Sequence, residues 1–230
     1  MTDKSADAGP SQPRASTSQR RPPLLRAARN VARSLVPDKA WEEIAEWMED
    51  HRTMQSPDRR VLTEKIFTRL DQIGALRPGA NVLWVGCRRY TRNYHKLLGK
   101  RGATIHTTDI DQDARQWGNP KTHKVCDITQ ADKAYAPDMF DVTLCSGVFG
   151  FGVNDRPMQE MTMRALETIT KPGGWVIMGW NTDRVADPTA VYAVAPHLKM
   201  APLGDFGPRC AVEGSTHVFD VLQRQGAALI

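Results

Sequence analysis

Between residues 81 and 180 the chain repeats one pattern: a short strand-like run (apolar throughout most of 81–85), a small or acidic residue where the run stops, then in most repeats a segment with helical spacing. Residues 81–85 stop at Gly86, and 103–108 stop in Asp109-Ile110-Asp111. Residues 124–126 stop in Asp127, and 141–144 in Cys145-Ser146-Gly147. A fifth run, 175–180, follows the turn Lys171-Pro172-Gly173-Gly174. Helices are expected over 92–98, 112–117 and 157–170. Strand and helix in alternation require a parallel sheet with right-handed crossovers and helices on both faces. The expected fold is therefore α/β, a doubly wound, mostly parallel sheet. A helix near 188–196 and an antiparallel strand at 217–222 close the chain.

Three helices precede the sheet. Leu24, Leu25, Ala28, Val31 and Leu35 recur at helical spacing, with Arg26, Arg29 and Arg33 off the stripe. Such a basic amphipathic helix over 24–35 packs on the body or makes peripheral contact with an anionic membrane. Pro37-Asp38 opens a second helix with the stripe Trp41, Ile44, Ala45 and Met48. Ser56-Pro57-Asp58 opens a third, an N-cap followed by Pro at the first helical position. Val61, Leu62, Ile66, Leu70 and Ile73 supply its buried face, and Arg77-Pro78-Gly79 ends it. Residues 1–23 hold almost no large apolar side chains and are expected to be disordered. The divisions expected are a disordered tail 1–23, a basic amphipathic helix and helical cap 24–76, and a sheet domain 77–230.

Charge is unevenly spread. Of the net +5, residues 1–37 hold seven basic and two acidic groups, which leaves 24 of each for the other 193 residues. A body without net charge weighs against a nucleic-acid partner. No run of about 18 apolar residues occurs, so no transmembrane helix is expected. Cys87, Cys126, Cys145 and Cys210 lie far apart without metal or redox spacing, as in a reduced, cytoplasmic protein.

In an open parallel sheet, ligands sit beyond the carboxyl ends of the strands. Gly86 there admits close approach to the backbone. Asp109 comes after it at about the ~20-residue interval that places a carboxylate against a ribose diol in dinucleotide folds. Taken singly, Gly86 also reads as a tight turn, Asp109 or Asp127 as a helix N-cap and Ser146 as loop. In order at successive strand ends they make a candidate site.

These residues resemble the class I S-adenosylmethionine-dependent methyltransferases, whose sheet is Rossmann-like. Val82-Leu83-Trp84-Val85-Gly86-Cys87 is similar to their first motif and Thr108-Asp109-Ile110-Asp111 to their second. Cys126-Asp127-Ile128 is similar to the third, Phe140-Asp141-Val142 to the start of the fourth, and Lys171-Pro172-Gly173-Gly174 to the turn before their fifth strand. Thr216-His217-Val218-Phe219-Asp220 resembles their terminal antiparallel strand. The resemblance implies S-adenosyl-L-methionine as cofactor. Asp109 would accept from both ribose hydroxyls, Ile110 would pack on adenine, and Asp127 would accept from its amino group beside Ile128. The Gly86-Cys87 backbone would approach the methionine moiety, with Ser146 and Gly147 near the sulfonium and the acceptor.

The family's first motif commonly reads GxGxG, and this chain has Gly86-Cys87-Arg88-Arg89-Tyr90 instead. Arg88 either pairs with the cofactor carboxylate or fills the pocket, and the second case motivates an alternative: a noncatalytic methyltransferase-like module acting through a protein partner. The neutral body and the missing Asn-Pro-Pro-Tyr or Asp-Pro-Pro-Tyr after the fourth strand favour a small-molecule or glycan-like acceptor. His197, Asp155, Asp183 and His95 are candidate bases, each reading more readily as structural. Phe149, Phe151 and Trp180 are candidate walls of an acceptor pocket. No carboxylate–histidine cluster suggests a catalytic metal. Oligomeric state is not legible.

Overall fold

The computed structural model describes residues 37, 39–40, 43–44, 48 and 52–226. The chain divides into two compact units, 1–49 and 50–230. In the first, residues 39, 40, 43, 44 and 48 are helical, within the helix expected from Pro37-Asp38. Ile44 and Met48 of its stripe are exposed, and Trp41 and Ala45 lie outside the described residues. So do the tail 1–23 and the basic helix 24–35, with the membrane contact attached to it. Among the described residues no helix is long and apolar enough to cross a membrane.

The second unit is built on one eight-stranded sheet. Its strands are β1 (Asn81–Val85), β2 (Thr104–Asp109), β3 (His123–Val125), β4 (Phe140–Ser146), β5 (Thr170–Asn181), β6 (Leu198–Met200), β7 (Arg209–Ala211) and β8 (His217–Arg224). The order is β3-β2-β1-β4-β5-β8-β6, with β7 also paired to β8. β1 to β5 are mutually parallel, β8 runs antiparallel to β5, and β6 and β7 each pair antiparallel to β8. The central strands β1 and β4 are buried almost throughout, as expected for a sheet covered on both faces, whereas β3 at the sheet edge has no buried residue. The chain winds outward from β1 to β3 and then returns to β4 on the other side of β1. That reversal opens a crevice at the carboxyl ends of β1 and β4.

Helices cover both faces. On one face lie α1 (57–72) and α2 (Thr91–Gly99). Leu62, Ile66, Phe67 and Leu70 of α1 pack with Tyr94 and Leu98 of α2 over Trp84, Leu144 and Phe219. On the other lie α3 (Ala131–Ala134), α4 (Arg156–Ile169) and α5 (Thr189–Tyr192), with Met163, Leu166 and Ile169 over Val85, Cys145 and Met178.

Local departures from the sequence reading have physical causes. α1 is π-helical over Val61–Ile66, and the wider i→i+5 winding rotates the next turn of the helix, bringing Phe67 inside. Ile73, expected to be buried, caps the helix with ψ near zero and is exposed. The Lys171–Gly174 turn sits within β5: the register jumps from Phe140↔Thr170 to Val142↔Trp175, and Gly173 takes the left-handed φ of 78°. The helix near 188–196 shortens to the four residues of α5. β6 and β7, three residues each, were not visible in the sequence.

Candidate active site

The crevice begins where β1 runs out. Gly86 has φ 84°, a conformation side chains disfavour, and a Cβ there would point into open space. Its N–H still donates to Thr108 O at 2.8 Å, continuing the ladder one residue past the strand. Across the reversal Gly147, just after β4, repeats the geometry with φ 70° and nothing within 4 Å of an added Cβ. Two glycines therefore bare the backbone on either side of the crevice mouth.

Asp109, at the end of β2, is buried. Its Oδ2 accepts from Cys87 N at 2.6 Å and from Arg88 Nη1 at 3.1 Å, and its Oδ1 accepts from Asp111 N at 2.9 Å. A carboxylate has about four lone-pair sites, so the chain's own donors take most of them. Asp127 caps the short 3₁₀ turn Ile128–Gln130, accepting from both N and Oγ1 of Thr129 on Oδ1. Asp127 thus carries the N-cap duty that the sequence left as its other reading, whereas Asp109 holds the loop after β1 and the cap of the next 3₁₀ turn is Asp111. Ile110 is 69% exposed at the crevice wall, whereas Ile128 is buried beneath it.

The crevice has two lobes that share Gly86, Arg88, Gly147 and Phe151. The narrower, about 120 Å³, is bounded by Asp109, Ile110, Cys126, Asp127 and Ile128. The wider, about 360 Å³, lies under the start of α1 and is walled by Asp58, Arg59, Trp84, Tyr90 and Tyr94 on one side and Ser146, Asn181 and His217 on the other. Trp84 and Tyr94 stack at 4.7 Å. The Arg59 guanidinium lies 4.0 Å from the Tyr90 ring centre, a cation–π contact that fixes that ring. Tyr90 and Arg88 line the crevice without sealing it.

All nine residues expected to bind ligand lie at this end of the sheet. All but Cys87 line a lobe. Cys87 is buried behind the loop, and burial, then the Asp109 charge, pushes its thiol up to about 12. That makes it an inert thiol. The candidate bases fare differently, since none of the four lines a lobe. Asp155 is the N-cap of α4, accepting from Met158 N at 2.8 Å. His197 offers its backbone N to Glu167 Oε1 at 2.5 Å. Asp183 is exposed. His95 packs edge-on to Trp84, and burial lowers it to about 4. Of the candidate aromatic walls only Phe151 lines the crevice. Phe149 is buried in the opposite core, and Trp180 donates its Nε1 to buried Asp220.

Sequence reasoning missed His217. It opens β8 opposite Asn181, with Nδ1 3.2 Å from Asn181 Oδ1 and Nε2 3.4 Å from Ser146 Oγ. The only hint was a histidine opening the closing strand. Among the described residues no group of three or more His, Cys, Asp or Glu side chains could hold a metal ion.

Residues 83–178 match a family model described as a methyltransferase domain. Among solved structures the chain is similar to the N-methyltransferase NodS of Bradyrhizobium japonicum, with 14% identity, TM-score 0.53, and 71% of this chain and 96% of that one covered. It is also similar to a TehB-like SAM-dependent methyltransferase of Corynebacterium glutamicum, with 21% identity, TM-score 0.52, and 77% and 99% covered. At such identities these likenesses speak for the fold. A search of curated proteins finds no match.

Proposed function

We propose that this chain, whose residues 83–178 match a methyltransferase-domain model, is a class I S-adenosylmethionine-dependent methyltransferase in which the narrow lobe takes the adenosine of the cofactor and the wide lobe takes a small-molecule acceptor. The observation that carries this reading is the meeting of the two lobes at the bared backbones of Gly86 and Gly147. A donor in one lobe and an acceptor in the other would face each other there.

The residues fit the cofactor's chemistry. Ile110 presents an exposed apolar side chain suited to a flat base. Both hydrogen bonds to Asp127 fall on Oδ1, which leaves Oδ2 for an amino group. Asp109 has one lone-pair site to spare for a ribose hydroxyl, and a second if Arg88 lets go. Arg88 is half-exposed and lies at the junction, so it can exchange Asp109 for a ligand carboxylate, which a guanidinium matches as a fork. When bound, S-adenosylmethionine supplies a methyl group activated on a sulfonium. The chain's part is then to hold two reactants in line, exclude water and receive any proton released. A lobe of about 360 Å³ is the size of a small-molecule site. The alternative of a noncatalytic module rested on a loop that fills its own pocket, and Arg88 and Tyr90 leave both lobes open.

Calorimetric titration with S-adenosylhomocysteine and 5′-methylthioadenosine tests the assignment. Ile110→Asp, at an exposed position, is expected to weaken both ligands about tenfold or more, since burying an Ile is worth roughly 1.5–3 kcal/mol. Arg88→Ala is expected to weaken only the carboxylate-bearing ligand, about tenfold to a hundredfold for a charge-assisted bond. No binding by the unaltered protein overturns the reading. Equal losses for both ligands in Arg88→Ala remove the carboxylate role.

A further inference from the structure

We propose that His217 is the general base of this methyl transfer and that the acceptor atom is a phenolic hydroxyl oxygen. The inference rests on the methyltransferase reading above and deepens it. Asn181 Nδ2 donates to Thr216 Oγ1 at 2.9 Å, which orients its amide and turns Oδ1 toward His217 Nδ1 at 3.2 Å. A carbonyl oxygen only accepts, so Nδ1 carries the proton and Nε2 presents a lone pair. Asn181 is therefore a positioning residue.

The lone pair is directed at Ser146 Oγ, 3.4 Å away, and both residues line the wide lobe. That is long for a hydroxyl donor, so an incoming hydroxyl can displace it. Gly179 lies beneath the pair. An added Cβ would come within 2.1 Å of Ser146 Oγ and 2.8 Å of His217 Nε2, and its φ is not in the left-handed region. This glycine is needed for space, and the space is what lets the imidazole lie against the end of β4.

Burial holds the imidazole below its ordinary pKa, so it is neutral and able to accept near pH 7. Asp58 opposes this and Arg59 adds to it, both from the start of α1. The groups closest to the ring on β4, β5 and β8, namely Ser146, Gly179, Asn181 and Phe219, carry no charge. The remaining titratable groups of the lobe are Arg88, Tyr90 and Tyr94.

A base this weak matches an acidic hydroxyl of pKa about 10, such as a phenol, better than an aliphatic alcohol. Trp84, Tyr90 and Tyr94 offer faces and edges to an aromatic ring. In the step itself the oxygen–methyl bond forms as the sulfur–methyl bond breaks. The electron pair stays on sulfur, which becomes a neutral thioether, and the hydroxyl proton passes to Nε2.

The test uses the full chain labelled with ¹⁵N-histidine and saturated with S-adenosylhomocysteine, observed by NMR as phenol or anisole is added up to its solubility limit. The expected result is an Nδ1–H neutral tautomer at His217, titrating below 6.5, whose Nε2 signal moves with phenol and not with anisole. Asn181→Leu is expected to mix the tautomers and shrink the phenol response, an effect that loss of packing alone would not produce. An Nε2–H tautomer, or no phenol response beyond that of anisole, overturns the inference. Calorimetry on the same sample separates the two readings. S-adenosylhomocysteine binding with a silent His217 sinks the base assignment alone, whereas absence of that binding sinks the cofactor reading. Once a phenolic substrate turns over, His217→Gln is expected to lower kcat by about 10²–10⁴-fold with cofactor affinity unchanged.

Discussion

The side chain that most constrains the carboxyl-terminal half of the sheet is Asp220. It is a fully buried carboxylate on β8, and it accepts from Trp180 Nε1 at 2.9 Å, Tyr192 Oη at 2.8 Å, and Arg209 Nε and Nη2 at 2.6 and 2.9 Å. Arg209 turns its other edge to Asp187, which is half-exposed. The two acids on one guanidinium are not equivalent. Removing the cation leaves a charge stranded at Asp220, whereas Asp187 can be solvated. Arg209→Met is therefore expected to cost about 3–5 kcal/mol, and Asp187→Asn under about 1 kcal/mol. Urea denaturation followed by tryptophan fluorescence measures both, and equal costs would contradict this division. The cluster also explains why Trp180 is no acceptor wall: its indole N–H is committed to Asp220.

Among the elements, α4 shows a local signal acting without the site. Asp155 takes extended backbone angles, accepts from Met158 N, and precedes a proline in the first turn. Asp155→Ala is expected to cost about 1 kcal/mol of stability, with S-adenosylhomocysteine affinity unchanged in calorimetry. A loss of affinity would restore Asp155 to the site. Elements such as this were legible because their determinants are local. β1 and the second part of β5 were legible because burial on both faces leaves apolar runs, and Asp109 and Asp127 stood out as acids at the ends of the strand-like segments before them. β6 and β7 were not, since three residues become a strand only through pairing with β8. The π-helical winding of α1 carries no sequence mark either. The same limit hid His217. Its partners Ser146 and Asn181 lie 71 and 36 residues away in sequence, and only the register of β8 on β5 brings the three together. The bases nominated from sequence were chosen by residue type, and type does not say which end of the sheet a side chain reaches.

At the scale of the whole molecule, burial sets one sign for the histidines. His95, His106, His123 and His217 are all lowered, with desolvation the largest cause in each. A histidine whose pKa is depressed by folding contributes no difference while both states are neutral. As pH falls through about 6.5 the unfolded chain takes up protons that the folded one resists, and stability is lost until the folded pKa is reached. For His95, lowered to about 4, the window runs from about 6.5 to 4, and the loss is of order 3 kcal/mol at about 1.4 kcal/mol per pH unit. Burial pushes Asp141 up, but Lys171, Asn81 N and Arg77 together outweigh it and hold the carboxyl low, so its contribution adds to the loss only below the ordinary carboxylate range. The thermal midpoint is thus expected to be flat between pH 8 and 7, to fall between pH 6.5 and 4, and to steepen below that. His95 Nε2 is buried with no hydrogen-bond partner among the described residues. His95→Phe should therefore keep the stacking edge against Trp84, leave the midpoint at pH 8 unchanged or raised, and flatten the fall between pH 6.5 and 4. A fall as steep in that variant as in the parent would mean the acid sensitivity lies with the other three histidines. His217 is the one of these that lines the crevice. Ligands filling its lobe would then shift the curve as well, which links the stability of the sheet to occupancy of its carboxyl end.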